Sequence, residues 1–497
     1  MARFYIENFG CRATQADGAA LERQFLECGM ERAEAVLDAE IVVLNTCTVT
    51  AGADKDARAS IRRLQRVNPD CRILVTGCYA QRAPQEVAAL PGVTWVVGNS
   101  HKHQAAEIAT ASFSSTESSS GAISAGSNFV PLAKLSIGHV SEDLSRNVIV
   151  GDIFAHTELL AAPVFEAANE RTRPNLKVQD GCDNRCSFCV IPHVRGQSRS
   201  LPQERVIAEV QTLVDAGYRE VVISGINLGR WGRDLESSSQ LSARSSQLKP
   251  STNSQRFESL IRAILDRTSV QKLRISSVEP MDWSDELIGL MAASERIAKH
   301  AHVPMQSGSD TVLRRMHRKY RPWHYREKIL KIREAMPTAA IGADVMVGFP
   351  GETEAEFDET RRMIEELPFT YLHVFTYSAR PGTPAAEQPD QVSVAMARER
   401  NRVLREIASK KKAAFMRSLV GTMVEAITLQ TGGADFTEAL TDNYLKMKIS
   451  GNHEANRWLA VNIEGVTGEM LLGRPVAESG VEVVTQECTE ANKRIDL

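Results

Sequence analysis

The stretch that decides the fold is residues 178–196, VQDGCDNRCSFCVIPHVRG. Its three cysteines, Cys182, Cys186 and Cys189, are separated by three and then two residues, and no fourth cysteine lies nearby. Closed zinc and iron–sulfur sites take four protein ligands, so three thiolates leave one metal position open for chemistry. Zinc is the alternative, but zinc sites usually pair two Cys-x-x-Cys knuckles or add histidines at short spacing. His193 alone offers neither, and we interpret the loop as an open iron–sulfur site.

This cysteine spacing resembles the signature of radical S-adenosylmethionine (SAM) enzymes. In that superfamily three cysteines hold a [4Fe-4S] cluster, and the amino and carboxylate groups of SAM bind the fourth iron. The resemblance implies that Cys182, Cys186 and Cys189 hold such a cluster and that SAM is its exchangeable ligand.

Length and composition indicate a globular protein without a membrane segment. The 497 residues suggest about three domains, and 43% hydrophobic and 24% charged residues are ordinary values for a soluble chain. The N-terminus has no secretory signal, and no run approaches the roughly 18 apolar residues that span a bilayer. We therefore expect a cytoplasmic protein, in which the nine cysteines are metal ligands or buried thiols rather than disulfides.

The first 110 residues predict a doubly wound, parallel α/β domain. Four short apolar runs alternate with helical patterns: FYIENF, IVVLN, RILVT and WVVG. Cys11, Cys47 and Cys78 follow the first three of these strands. Ligands bind at the carboxyl edge of such sheets, so the three thiols are expected to converge on one ligand. The alternative is three small buried thiols, the role that we assign to Cys28 and Cys71.

Residues 174–400 predict a partial, six-unit TIM-like barrel of the radical SAM type. Its candidate strands are LKVQD, EVVISG, KLRISS, HAHVPM, IGADVMVG and YLHVFTYS. Active residues in such barrels sit in the loops after the strands, where the cysteine loop also lies. By that rule the candidate SAM contacts are Gly225, Asn227, Ser277, Glu279, Gln306 and Gly348.

Other polar residues near these loops are weaker candidates. Arg195 and Arg199, just after the cysteine loop, are candidates for pairing with a substrate carboxylate or phosphate, or else form a solvated surface pair. We assign structural or solvated roles to four histidines, His101, His103, His300 and His302.

The remaining segments are connections and a small third domain. Residues 111–173 form a linker or insertion that begins Ser/Gly-rich, and a second Ser-rich insertion covers 235–255. Between residues 395 and 417 eight Lys or Arg accompany two Glu, so 401–417 is expected to be a basic connecting helix. Residues 418–485 contain five short strand patterns and predict a small β-barrel, an architecture that often binds oligonucleotides.

Taken in order, these motifs resemble the methylthiotransferase family. The shared features are Cys11, Cys47 and Cys78, the cysteine loop, VMVGFPGET, YSARPGTPAA and the terminal β module. The resemblance implies a second, auxiliary [4Fe-4S] cluster on the N-terminal trio and a TRAM-like RNA-binding barrel at the end. The chain departs from the family pattern at Thr14 and Gly18, both near Cys11.

Two strings suggest a branch of this family. NTCTVT around Cys47 and YLHVFTYSARPGTPAA resemble the branch that acts on N6-threonylcarbamoyladenosine in tRNA. The implied reaction inserts a methylthio group at carbon 2 of that base, next to the anticodon. SAM is cleaved to a 5′-deoxyadenosyl radical that removes the hydrogen, and the auxiliary cluster supplies the sulfur. An electron donor such as flavodoxin or ferredoxin is required.

Two other functions remain open from the sequence. Within the family, the chain could act on isopentenyladenosine in tRNA or on an aspartate of a ribosomal protein. In a different class, it could be a non-catalytic iron–sulfur protein that binds RNA or senses redox state.

Overall fold

A computed structural model describes residues 2–114, 147–156, 159, 173–235 and 256–476. The predicted linker over 111–128 lies outside these residues except for 111–114, and the Ser-rich insertion over 235–255 lies outside them except for 235. No helix within the described ranges is long and apolar enough to cross a bilayer.

The N-terminal domain is a six-stranded, entirely parallel sheet. Its strands are β1 (Arg3–Asn8), β2 (Glu31–Arg32), β3 (Ile41–Thr46), β4 (Arg72–Gly77), β5 (Val93–Gly98) and β6 (Val148–Ile149), in the order β2-β1-β3-β4-β5-β6. The helices are α1 (Arg12–Glu27), α2 (Ala51–Val67), α3 (Cys78–Arg82), α4 (Pro84–Ala88) and α5 (Ala105–Ser114). Alternate residues of β3 and β4 enter two separate apolar cores, one on each face of the sheet. The prediction of a doubly wound parallel domain is confirmed.

The central domain alternates strands and helices as the sequence predicts. Its strands are β7 (Asn175–Asp180), β8 (Arg199–Ser200), β9 (Glu220–Gly225), β10 (Lys272–Ile275), β11 (His300–His302), β12 (Ala340–Val347) and β13 (Tyr371–Thr376). All are parallel to their neighbours except β8, which returns antiparallel to β7 directly after the cysteine loop. The sheets β10-β9-β7-β8 and β11-β12-β13 are joined by single bridges such as Ser277 to His302.

Helices cover the outside of this open barrel. They are α6 (Ile191–Arg195), α7 (Gln203–Asp215), α8 (Phe257–Arg267), α9 (Asp285–Ala293), α10 (Asp310–Arg315), α11 (Pro322–Ala335) and α12 (Glu354–Glu366). Thr353 and Glu356 form a reciprocal capping box that starts α12. The apolar faces of these helices and strands form the largest core of the chain. Short 3₁₀ turns occupy Val36–Asp38, Asn99–Gln104, Leu228–Arg230, Pro280–Asp282 and Pro384–Ala386.

A long helix, α13 (Val394–Ser418), leads into a closed five-stranded barrel. Its strands are β14 (Met423–Gly432), β15 (Phe436–Thr441), β16 (Lys446–Ser450), β17 (Trp458–Thr467) and β18 (Met470–Pro475), in the order β14-β15-β16-β18-β17. The pair β16–β18 is parallel and the other pairs are antiparallel. This confirms the small β-barrel, with the Greek-key arrangement of oligonucleotide-binding barrels.

The small barrel is docked on the central domain by polar contacts. The Nζ of Lys272 lies 2.5 Å from a carboxylate oxygen of Glu425, and the Nδ2 of Asn443 donates to the carbonyl of Thr338 at 2.9 Å. The guanidinium of Arg274 donates to the carbonyls of Asp442, at 3.0 Å, and of Thr441, at 3.4 Å. Arg274 also pairs with Glu220 at 2.5 Å, and both side chains are fully buried.

This buried pair yields a stability prediction. Glu220→Gln strands the Arg274 guanidinium without a counter-charge, and we expect a loss of about 3–5 kcal/mol, seen as a lower midpoint of thermal unfolding of the whole chain. The double variant Glu220→Gln/Arg274→Met is expected to recover most of the loss, because the uncompensated charge is gone. An unchanged midpoint in the single variant contradicts the prediction.

Candidate functional site

The three N-terminal cysteines lie at one edge of the parallel sheet. Cys11 lies three residues after the end of β1, and Cys47 directly follows β3. Cys78 directly follows β4 and is the first residue of α3. Gly10 has a positive φ of 109°, and a Cβ there would lie 2.5 Å from the Cβ of Cys47. Only glycine therefore lets the chain before Cys11 pass so close to Cys47. The structure supports the predicted convergence of these three positions.

Polar neighbours surround the sulfurs of this trio. The Nδ2 of Asn99 donates to the Sγ of Cys78 at 3.5 Å, and the hydroxyl of Thr14 lies 3.6 Å from the Sγ of Cys11. Burial, reinforced by the neighbouring Cys78, raises the pKa of the Cys47 thiol to about 11. Thiols must lose their protons to become metal ligands, so metal binding here is coupled to proton release.

The second trio lies in the loop between β7 and α6. The loop is anchored by backbone bonds from Cys182 N to Gly196 O, at 3.0 Å, and from Ser187 N to Met316 O, at 3.1 Å. The backbone N–H of Asn184 and the Nδ2 of Asn227 donate to the Sγ of Cys182 at 3.4 and 3.6 Å.

Burial shifts the pKa values of two thiols of this loop, Cys182 and Cys189. It raises the pKa of Cys182 to about 11 and that of Cys189 to about 12. The Nη1 of Arg318 donates to the Sγ of Cys186 at 3.3 Å, so a cation faces the third thiol of the loop.

The donor set fits iron–sulfur clusters. Each site offers three cysteines, together with amide or guanidinium donors to sulfur, which are the groups that tune clusters. Within the described residues, no group of three Cys, His, Asp or Glu is drawn together tightly enough to hold a single metal ion. The match to a cluster therefore rests on the cysteine trios and their sulfur-directed donors.

A buried charge cluster links the two cysteine sites. It consists of Asp17 on α1, Lys102, and Lys177, Asp180 and Arg195 of the central domain, each at most 7% exposed. Lys102 and Arg195 contact Asp17 at 2.9 and 3.0 Å, and Lys177 pairs with both aspartates. Burial opposes ionisation of Asp17, but Lys102 and Lys177 prevail and hold its pKa below the usual range.

The charge cluster contains one of the two predicted phosphate-binding arginines. The Nη1 of Arg195 lies 3.0 Å from both carboxylate oxygens of Asp180, and the residue is 2% exposed. The Nη1 of Arg199 donates to the backbone carbonyls of Arg195 and Gln197 at 2.9 and 3.1 Å. The structure thus directs both arginines to internal partners instead of the ligand expected from the sequence, and neither forms a solvated surface pair.

The predicted SAM contacts fall into three groups. Gly225 and Ser277 line a cavity at the strand ends, whereas Asn227 and Glu279 lie beside the cysteine loop, with Glu279 paired to Arg318. Gln306 is bridged to β12, because its N–H donates to the carbonyl of Asp344 and its carbonyl accepts from the N–H of Met346, both at 2.8 Å. The backbone N–H of Gly348 donates to Glu352 at 2.6 Å, and a Cβ on Gly348 would lie 2.6 Å from the Cβ of Ala397. The structure therefore brings the first four residues toward the site but gives Gly348 a packing role.

The cavity has a volume of about 480 Å³ and is formed by all three domains. Cys11 and Arg12 of the N-terminal domain and Tyr444 of the small barrel close the open side of the central barrel. The other lining residues project from its strands: Ser224, Gly225, Ile226, Ser276, Ser277, His300, His302, Asp344, Tyr371, His373 and Phe375, with Ala13 of α1.

One wall of this cavity is a group of stacked rings. The rings of His300 and Tyr371 are nearly parallel, with centroids 5.9 Å apart, and the Nε2 of His300 lies 2.6 Å from the Tyr371 hydroxyl. Burial and the nearby Arg274 hold the pKa of His300 well below its usual value. His302 lies 3.4 Å from a carboxylate oxygen of Asp344. The sequence reasoning assigned His300 and His302 structural or solvated roles and missed their place in the cavity wall.

The two strings that suggested a branch of the family meet in space. Thr48, next to Cys47, receives hydrogen bonds from Arg380 of the second string at 2.9 Å and from Arg82 at 2.8 Å. Arg380 and Arg82 also pair with Asp54. A buried network thus joins the loop of Cys47 to the segment after β13.

Sequence reasoning also missed Arg318, Lys102 and Lys177. Lys177 had a detectable signal, because a charged residue inside an apolar strand must find a partner when buried. Arg318 and Lys102 had none, since each acts through partners distant in the sequence.

Comparison with known families and proteins gives consistent matches. Residues 3–98 match the uncharacterized protein family UPF0004, and residues 176–364 match the radical SAM superfamily. The chain is 36% identical over 464 residues to the threonylcarbamoyladenosine tRNA methylthiotransferase MtaB of Bacillus subtilis (strain 168), covering 91% of this chain and 92% of that protein. The protein of the same name from Aquifex aeolicus (strain VF5) is 32% identical, with 92% and 99% covered.

Two further similarities are more distant. The tRNA-2-methylthio-N(6)-dimethylallyladenosine synthase of Bacillus subtilis (strain 168) is 28% identical, covering 96% of this chain and 86% of that protein. The solved structure of the radical SAM methyltransferase TsrM from Kitasatospora setae superposes with a TM-score of 0.50 at 15% identity, covering 78% of this chain and 75% of that one. At 15% identity, the similarity to TsrM concerns the fold alone.

Iron analysis tests the two cysteine sites. Anaerobic reconstitution of the whole chain is expected to give about eight irons, from two [4Fe-4S] clusters. Cys47→Ala and Cys186→Ala are each expected to lower the content to about four, because each removes one ligand of a different trio. Cys71→Ala is the matched control, since Cys71 is buried at the start of β4 away from either loop. About four irons in the unmodified chain contradicts the assignment.

Proposed function

Because this chain belongs to the methylthiotransferase family of radical SAM enzymes, we propose that it methylthiolates carbon 2 of N6-threonylcarbamoyladenosine in tRNA, next to the anticodon. The observation that supports the proposal most directly is the cavity. In it, Cys11 of the first trio lies against the strands of the central domain, the domain that carries the second trio. A base placed there faces Cys11, and Gly225 in the cavity wall lies two residues before Asn227, which donates to the Sγ of Cys182. The relatives with 36% and 32% identity, named for this activity, support the same substrate.

Six cysteines are proposed to hold the cofactors. Cys11, Cys47 and Cys78 would hold the auxiliary [4Fe-4S] cluster, and Cys182, Cys186 and Cys189 the cluster that binds SAM. When bound, these groups supply one-electron cleavage of SAM and the sulfur that is transferred.

The chain's own residues position these groups and shield them from water. Arg318 is aimed at the sulfur of Cys186 and is held by Glu279, so its charge offsets that of a thiolate. Arg195 and Lys102 place positive charge near the first trio. Gly225 and Ser277 line the cavity, and the lack of a side chain at Gly225 lets Gln179 pack against it, since a Cβ there would lie 2.9 Å from the Oε1 of Gln179.

RNA binding is proposed for the small barrel and for α13. Four exposed cations of that helix, Arg398, Arg405, Lys410 and Arg417, are candidates for phosphate contacts. Others serve the protein itself: Arg400 is buried against Glu352, and Lys412 pairs with Glu469. The target base has to leave its stack to enter the cavity, which loop nucleotides do most easily.

We propose a cytoplasmic location, which a tRNA substrate supports, and flavodoxin or ferredoxin as the class of electron donor. A second candidate substrate is isopentenyladenosine, favoured by the 28% identical relative and by the apolar ring of Phe375 in the cavity wall.

Nucleoside analysis tests the substrate. In tRNA from a strain without this gene, we expect 2-methylthio-N6-threonylcarbamoyladenosine to be absent and its precursor to accumulate, as measured by mass spectrometry. Restoring the gene is the control, and a Cys186→Ala allele is expected not to restore the product. If the deletion strain instead lacks the methylthio group on isopentenyladenosine, isopentenyladenosine is the substrate.

Production of 5′-deoxyadenosine separates an enzyme from a non-catalytic iron–sulfur protein. Anaerobic incubation with SAM and dithionite is expected to yield 5′-deoxyadenosine from the unmodified chain and from Cys47→Ala, which keeps the second trio. Cys186→Ala is expected to yield at least about a hundredfold less, because the SAM-binding cluster is lost. No 5′-deoxyadenosine from the unmodified chain removes the enzymatic proposal.

A further inference from the structure

Three arginines from three parts of the chain surround Tyr444 at one end of the cavity. The guanidinium carbons of Arg12, Arg173 and Arg274 lie 5.8, 5.9 and 5.2 Å from the centre of the Tyr444 ring. Arg12 also donates from Nη2 to the Tyr444 hydroxyl at 2.9 Å, and both residues line the cavity. Such a concentration of cations around one ring is far above the ordinary frequency of single cation–π contacts.

Negative charge among these groups is concentrated on Arg274, because the carboxylates of Glu220 and Asp442 both interact with it. The carboxylate of Glu220 is paired with Arg274, and the pKa of Arg173 is lowered by burial even though Glu220 is nearby. Asp344 also lines the cavity but lies beside His302. Arg12 has its guanidinium on the phenol ring and hydroxyl of Tyr444, both neutral partners. An anion at the Tyr444 end of the cavity would therefore be attracted by Arg12, whose guanidinium contacts the phenol of Tyr444.

The backbone of Tyr444 supports a functional role for this arrangement. Tyr444 has a φ of +70°, a left-handed conformation that is costly for a bulky residue other than glycine. Strain of this kind is kept where the surrounding structure enforces it, often at ligand sites. Here the turn between β15 and β16 directs the ring of Tyr444 against His300, with centroids 4.7 Å apart, and into the cavity.

We propose that Arg12, oriented by Tyr444, binds the carboxylate of the N6-threonylcarbamoyl group and thereby selects that base over one with an uncharged N6 substituent. The inference rests on the proposed function and adds the residue that determines specificity. The two candidate bases differ in charge at this position, because the threonylcarbamoyl group ends in a carboxylate whereas the isopentenyl group is a hydrocarbon. A guanidinium recognises a carboxylate by charge-assisted hydrogen bonds that an apolar substituent cannot form.

Arg173 and Arg274 have a supporting part in this proposal. Arg274 is fixed by Glu220 and by the carbonyls of Thr441 and Asp442, so it holds the turn that carries Tyr444. Its charge and that of Arg173 add to the field that an entering carboxylate meets. Arg12 alone of the three lines the cavity, and is therefore the residue that touches the substrate.

The decisive experiment compares three anticodon stem-loop RNAs on the reconstituted full chain. They carry N6-threonylcarbamoyladenosine, its neutral methyl ester, or N6-isopentenyladenosine. We expect the unmodified enzyme to bind the acid roughly 10- to 100-fold more tightly than the ester, with a matching ratio in methylthiolation rate. Because it uses the unmodified enzyme, this comparison does not depend on whether a variant folds.

Variants then assign the difference to Arg12. Arg12→Gln is expected to abolish the preference for the acid, Arg12→Lys to restore part of it, and Tyr444→Phe to weaken it. Arg23→Gln, on the exposed face of the same helix, is the matched control and is expected to keep the full preference. Iron content and 5′-deoxyadenosine formation are measured in each variant, so that damage to the neighbouring Cys11 site is seen separately.

The outcomes distinguish this inference from the proposed function. Equal binding and modification of acid and ester by the unmodified enzyme overturn the inference and leave the proposed function standing, as does an acid preference that survives in Arg12→Gln. Modification of the isopentenyl stem-loop alone overturns the proposed function and the inference with it.

Discussion

The structure depends on the buried charge cluster between the N-terminal domain and the central barrel. Asp17 belongs to the first domain and Asp180 to the second, and Lys102, Lys177 and Arg195 bridge them. Buried ions are costly unless each one is paired, so the cluster is satisfied only when the two domains are docked. Asp180 lies two residues before Cys182, and Asp17 lies on the helix that starts after Cys11. The same charges thus fix the position of one cysteine site relative to the other.

The cluster also sets the electrostatic conditions at the first cysteine site. Three cations face two carboxylates, and Arg195 interacts with Cys78 and Cys11 as well as with the aspartates. The positive charge of Arg195 works against the burial that raises the pKa of Cys47. The two positions near Cys11 at which this chain departs from the family pattern, Thr14 and Gly18, also lie in this region. Thr14 contacts the sulfur of Cys11, and Gly18 makes room for the side chain of Asn8.

The third domain completes the cavity rather than standing apart as a binding module. A full TIM barrel packs its interior with side chains, whereas this open barrel leaves a cavity that Arg12 and Tyr444 close from the side. The small barrel is held by Lys272, Arg274 and Asn443, so its position beside the cavity is fixed by these contacts.

The sequence by itself determined the elements and the chemical class. Each apolar run that the sequence analysis named as a strand is a strand in the structure, because local apolar patterns are set by neighbours within a few residues. The two-residue strands β2, β6 and β8 are too short to give such a pattern. Spacing within one loop predicted the trio of Cys182, Cys186 and Cys189, and positions after three predicted strands suggested the trio of Cys11, Cys47 and Cys78. Tertiary structure alone decided the partners of the charged residues. Arg195 binds Asp17 across 178 positions, and Arg380 reaches Thr48 across 332, so no local pattern distinguishes such pairs from solvated surface residues. The cavity and its ring of arginines around Tyr444 likewise exist only after three domains have docked, because each domain supplies a different wall.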